Sequence, residues 1–198
     1  MGLRLIYWMT FAMLACATSA FAGRLPTTAA EAPPSGGLSV NSAPPGIQQI
    51  REEHRFGVGA SIGGGLGVFG FEVDVNVNDW LSLTGGYGAG IDFSSWTVKA
   101  RALLPGAWVA PYAALGVSRW WSGATGESRP GPGLLASDLL APDEDAAKGF
   151  NAFLLYPAVG VQFMQRTGFS FYAEMQCLLR IASFRHAFYA GAGAHMYF

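Results

Sequence analysis

The stretch Phe71-Glu72-Val73-Asp74-Val75-Asn76-Val77-Asn78 alternates without a fault. Phe71, Val73, Val75 and Val77 fall on one side, and Glu72, Asp74, Asn76 and Asn78 on the other. Successive side chains of a strand point to opposite faces, so this reads as a strand with one apolar and one polar face. The pattern returns further along the chain. Trp96, Val98, Ala100 and Ala102 oppose Ser95, Thr97, Lys99 and Arg101. Phe169, Phe171, Ala173, Met175, Cys177, Leu179 and Ile181 oppose Ser170, Tyr172, Glu174, Gln176 and Arg180.

Fainter alternation marks five more strands, at 56–68, 80–91, 108–121, 150–164 and 188–198. In the first, Leu66 and Val68 continue the apolar side begun by Phe56 and Val58, while the opposite side is mostly glycine. In the third, Pro111 blurs the parity and leaves the faces unassigned. The connections alternate in character. Asn78-Asp79, Leu104–Ala107 and Gln165–Gly168 are tight turns of turn-forming residues, and the long connection 122–149 falls in the other set. The expected fold is all-β: an eight-stranded antiparallel up-and-down transmembrane β-barrel, with short turns at one end and the long loop at the other.

Composition decides which solvent each face meets. Of 198 residues, 51% are hydrophobic and 13% charged, against about 25% charged in ordinary soluble domains. Residues 56–71 and 149–165 carry no charge at all. A soluble cup needs charges on the outside of nearly every strand, whereas a membrane barrel keeps its apolar band outside and its polar face inside. The membrane version follows. Glu72, Asp74, Lys99, Arg101, Glu174 and Arg180 then point into the lumen, three acids and three bases suited to mutual pairing. Aromatic residues gather near strand ends as two interfacial belts, with Phe93, Trp120 and Phe150 assigned to the loop-end belt. Inward glycines such as Gly57, Gly59, Gly86 and Gly88 leave space that either Tyr156, Tyr172 and the charged network fill, or water does. A net charge of −1 argues against a nucleic-acid partner.

Residues 1–22 read as a secretory signal peptide, with Arg4 as the positive region, an apolar core from Leu5 to Ala17, and Ala20-Phe21-Ala22 as the cleavage site. Its removal leaves one thiol, Cys177, so no disulfide framework and no cysteine-rich metal site is expected. Residues 23–54, with Pro26, Pro33, Pro34, Pro44 and Pro45, read as a disordered linker. Within it, Ile47–Glu53 has the alternative of a short helical turn. The barrel domain is 55–198.

The C-terminus carries a family resemblance. Phe198, preceded by Met196, Ala194 and Ala192 at alternating positions, resembles the closing strand of Gram-negative outer-membrane proteins. The whole chain apart from the linker is similar to the small OmpA/OmpX type of barrel, without the C-terminal peptidoglycan-binding domain of full-length OmpA. The resemblance implies that Phe198, Met196 and Ala194 form an assembly signal read by the barrel-assembly machinery. It also implies a bacterial outer-membrane location among lipids and lipopolysaccharide, with the linker and C-terminus in the periplasm.

Three readings of function follow. The first is a structural or surface-interaction barrel without catalysis. The second is a narrow gated pore with the lumen charges as gate. The third is a lipid A-modifying enzyme, for which His186 and His195 are the available imidazoles. His186 has no acid placed to orient it, and His195 takes an inward position suited to structure. No cofactor or metal is expected. Asp143-Glu144-Asp145 in the long loop lacks the glycine and terminal glutamate of a calcium loop. Leu134-Leu135 and Leu139-Leu140 in loop 122–149 are the segments able to cap the mouth or meet a surface partner.

Overall fold

The computed structural model describes residues 46–91, 93–122, 138–140 and 149–198. Residues 1–45, where a signal peptide and most of a linker are expected, and most of 122–149, including Leu134-Leu135 and the acidic run at 143–145, lie outside the described residues. Helix α1 (Ile47–Glu53) leads into β1 (Phe56–Gly63), a 3-10 turn (Gly64–Leu66), β2 (Phe69–Asn76) and β3 (Leu81–Ala89). Then come β4 (Ser94–Leu103), β5 (Val109–Ser122), β6 (Phe150–Met164), β7 (Phe169–Arg180) and β8 (His186–Tyr197). Each strand pairs antiparallel with the next, and β8 closes on β1 with Ala60 opposite Ala194 and Val58 opposite Met196. Closure leaves no unpaired strand edge.

Burial follows the alternation. Along β2 exposed and buried residues alternate strictly from Phe69 to Asn76. Val73, Val98, Leu115, Val159 and Phe171 are exposed on the outside, while Glu72, Asp74, Lys99, Arg101 and Glu174 are buried inside. This is the inverse of a soluble barrel. The parity that Pro111 obscured is also settled: Pro111 faces out and Tyr112 in.

Three expectations need correction. The first strand does not run to residue 68. Gly63, Gly64 and Gly67 adopt positive φ, a conformation open to glycine without strain, and the chain turns into the lumen instead. Leu66 is therefore buried rather than outward, because parity does not carry across a break in the strand. Trp120, Phe93 and Phe150 are likewise buried inside the loop end rather than set in an outward belt. Trp120 shares its parity with inward Ser118 and stacks on Phe93 at 4.4 Å.

The third correction concerns the linker, whose last residues are structured. Helix α1 crosses the mouth at the end that carries the C-terminus. The Ile47 amide donates to the Gly106 carbonyl at 3.2 Å. The Asn76 side chain donates to the His54 carbonyl at 2.7 Å. The His54 ring donates to the Arg166 carbonyl at 3.0 Å. Seven residues are too few for a stable isolated helix. Ile47 and Ile50, buried in the same apolar cluster as Leu103, Ala110 and Met164, hold it by about 1.5–3 kcal/mol each.

Candidate functional site

The lumen gathers the charged residues into two connected groups. In the first, Lys99 of β4 places Nζ 2.8 Å from Glu174 of β7 and 3.4 Å from Glu72 of β2. Each acid has further donors: Tyr112 (2.7 Å) and Gln176 (2.6 Å) reach Glu174, and Tyr172 (2.5 Å) reaches Glu72. His195 Nε2 stands 3.2 Å from Glu72, and its ring stacks on Tyr172 at 5.4 Å. In the second group, Arg101 pairs with Asp74, which also accepts from Tyr197 and from Thr84 at 3.2 Å. Tyr172 links the groups, its ring 4.6 Å from the Lys99 ammonium and 5.2 Å from the Arg101 guanidinium. Buried ions need such partners, since an uncompensated charge in a low-dielectric interior is strongly destabilising.

The structure thus brings together Glu72, Asp74, Lys99, Arg101 and Glu174. Arg180 stands apart. It lies six residues beyond Glu174 on β7, roughly 20 Å along an extended strand, and donates to the Leu139 carbonyl at 3.3 Å. Arg185 likewise donates to the Leu140 carbonyl. These two contacts hold Leu139 and Leu140 in the loop-end mouth, both buried in the cluster that contains Phe93, Trp120, Phe150 and Leu178. The capping role open to Leu139-Leu140 is the one they take.

Below this cap sits the turn Gly64–Leu66. Its Gly65 carbonyl accepts from Ser118 and from Trp120 Nε1, each at 2.7 Å, and its Gly65 amide donates to Gln176 at 2.7 Å. Ser95 donates to the Leu66 carbonyl at 2.7 Å. Leu66 rests on Gly70, Gly86 and Gly88, where a Cβ would crowd it. The inward glycines on β2 and β3 are the seat of this plug.

At the opposite mouth α1 inserts Arg51, fully buried. Its Nε donates to the Asp79 carbonyl at 3.2 Å and Nη1 to Gln162 at 3.5 Å. Burial, with Arg101 nearby, pushes its pKa down to about 10. Sequence reasoning missed Arg51 because it sits in a segment whose composition reads as linker, and missed Tyr112 because of Pro111.

Between the plugs lies an internal hollow of about 10 Å3, bounded by Ser61, Lys99, Tyr156 and Tyr172 among others. That is room for one water, far below the roughly 300–1,000 Å3 of a small-molecule site. A hollow of about 530 Å3 lies instead on the outside, over Ile62, Val161, Ala173, Met175 and Ala192. His195 is sealed in the lumen and His186 is exposed at the loop end against Phe188. Among the described residues no group of His, Cys, Asp and Glu is placed to hold a metal ion. The terminal residues Ala194, Met196 and Phe198 point outward, and the Phe198 amide donates to the Phe56 carbonyl at 2.7 Å.

Closed eight-stranded barrels of this up-and-down kind are known among solved structures. The N-terminal β-barrel domain of Pseudomonas aeruginosa OprF is similar over 73% of this chain and 98% of that one, with a TM-score of 0.54 at 11% identity. The Yersinia pestis outer membrane protein Ail, in a phospholipid bilayer nanodisc, matches over 73% of this chain and 99% of its own, with a TM-score of 0.40 at 14% identity. The first comparison shows a shared fold. No family model matches the sequence, and no curated protein matches it.

Proposed function

We propose that the chain is an integral barrel of a bacterial outer membrane, with a structural or surface-interaction role, no catalysis and no open channel. The observation that carries this reading is the inverted polarity: ion-paired side chains inside, and an outward belt of Val, Leu, Phe and Trp. Water does not favour such an exterior, and hydrocarbon does. In this reading α1 and Phe198 face the periplasm and the long loop faces outward. Phe198, Met196 and Ala194 serve as the signal for the barrel-assembly machinery, and loop 122–149 is the surface available to an external partner.

The closed reading is favoured over a gated pore because α1 and Leu139-Leu140 occupy the two mouths, the lumen side chains pair with one another, and the hollow beside Lys99 has room for one water. A lipid-modifying enzyme is disfavoured because His195, the imidazole with a carboxylate beside it, has no path to a substrate. Nitroxide labels test the membrane reading. Labels at Val73 and Val98 are expected to be relaxed by oxygen and shielded from a polar nickel chelate in proteoliposomes. Shielding from oxygen and exposure to the chelate would overturn it. Planar bilayers are expected to show no steady current, and a current abolished by Lys99→Ala would establish the pore instead.

A further inference from the structure

Four strand positions carry Lys or Arg among the described residues: Lys99, Arg101, Arg119 and Arg180. Three of them point inward. Arg119 points out, sharing its parity with exposed Leu115 and Val117. It stands three residues before the end of β5, at the loop end. A cation on the lipid side costs about 2–4 kcal/mol at the bilayer midplane but only about 0–1 near the interface, so this is the level at which one is tolerated.

Its surroundings are organised. The guanidinium lies 5.3 Å from the Phe153 ring and 5.7 Å from that of Trp121. Trp121 is braced edge-on by Tyr87 at 6.1 Å. Nε donates to the Asn151 side chain at 3.0 Å. That bond and the two rings fix the plane, and no carboxylate among the described residues pairs with it. Among the described residues nothing engages the terminal nitrogens, which form a preorganised fork. A guanidinium fork matches a phosphate bidentately, and rings at headgroup depth offer the glycosidic and acyl parts of an amphiphile a flat apolar wall.

We propose that Arg119, with Trp121, Phe153 and Asn151, is a docking site for the phosphate of a glycolipid headgroup in the outer leaflet. The inference rests on the outer-membrane reading above, with the loop end outward. Charge complementarity selects the occupant: a cation that no described carboxylate pairs, on an apolar wall at the interface, meets the anionic part of the lipid at that depth.

Native mass spectrometry of the full barrel released from detergent micelles tests it. The probes are lipid A with its phosphates, the same lipid with its phosphates removed, and inorganic phosphate. The wild type is expected to retain the phosphorylated lipid about tenfold better than Arg119→Gln, the loss of one charged hydrogen-bonded contact. Arg119→Lys is expected to recover part of that retention, and Arg166→Gln, in the opposite turn, to change nothing. Equal retention by wild type and Arg119→Gln overturns the proposal, as does equal retention of the two lipids. Competition by inorganic phosphate as strong as by the lipid also overturns it, leaving a simple anion site. Heat-dependent gel mobility shows that each variant is folded. Recovery of the wild type as a monodisperse species without detergent would sink the membrane reading separately from Arg119.

Discussion

Tyr197 lies across Gly57 and donates its hydroxyl to Asp74. The three residues form one row over three strands, since Gly57 is opposite Tyr197 on one side and Asp74 on the other. A Cβ at Gly57 would stand 2.7 Å from the Tyr197 ring. The missing side chain lets the last strand reach the second across the closing seam. Tyr197→Phe keeps the packing but removes one donor from a buried carboxylate, an expected loss of about 1–3 kcal/mol. Gly57→Val displaces the ring and is expected to cost more. Urea unfolding in micelles measures both; equal stability of wild type and Tyr197→Phe would refute the coupling.

Lys99 is the shared counter-ion of Glu72 and Glu174. Lys99→Met leaves two acids facing each other in the lumen, and loss of one partner from a buried pair costs about 3–5 kcal/mol. Adding Glu72→Gln to Lys99→Met is expected to restore about 1–3 kcal/mol, a coupling typical of residues in one network. A double-mutant cycle by urea unfolding checks this, and strictly additive effects would contradict it.

Gly85 and Gly88 of β3 should respond with opposite signs. A Cβ at Gly85 meets nothing within 4 Å, so Gly85→Ala is expected to stabilise by about 0.5–1 kcal/mol through lower backbone entropy of the unfolded chain. A Cβ at Gly88 would run into the Leu66 carbonyl oxygen and stand 2.8 Å from the Phe69 carbonyl oxygen and 3.0 Å from Leu66 Cβ. Gly88→Ala is therefore expected to destabilise by about 1–3 kcal/mol through overpacking. Thermal midpoints of the gel-mobility shift distinguish them.

Helix α1 makes a protease prediction. The Arg51 side chain is enclosed by the barrel mouth, so trypsin acting on the folded protein is expected to spare the bond after Arg51. Ile50→Asp places a charge in the apolar cluster and is expected to release the helix and expose that bond. Mass spectrometry of the fragments reads the outcome; cleavage after Arg51 in the folded wild type would show that the helix does not dock.

Most of the barrel is legible in the sequence because a period of two is a direct consequence of strand geometry. The lumen charges on β2, β4 and β7 were readable for the same reason. What escaped was whatever leaves the strand, and where along the barrel axis a strand residue sits. Leu66 follows glycines with positive φ, where parity stops meaning anything. Arg180 has the inward parity expected of it, but parity carries no information about height along the axis, and height separates it from Glu174. Nearness to a strand end places Trp120 in a belt, whereas its parity, shared with Ser118 two residues before, points inward. The docking of α1 depends on three turns far away in sequence, at Asp79, Gly106 and Arg166, which no local pattern encodes.

The turn Gly64–Leu66 is gripped by side chains of β4, β5 and β7. It acts as a hub with spokes to strands that do not pair with β1 or β2, the two strands it connects. A plain ring of hairpins can unzip one pair at a time, because each strand answers only to the two beside it. Here a seam that frays pulls on the hub, and the strain reaches the opposite wall. The molecule is therefore built to lose its order in one concerted step rather than by progressive peeling.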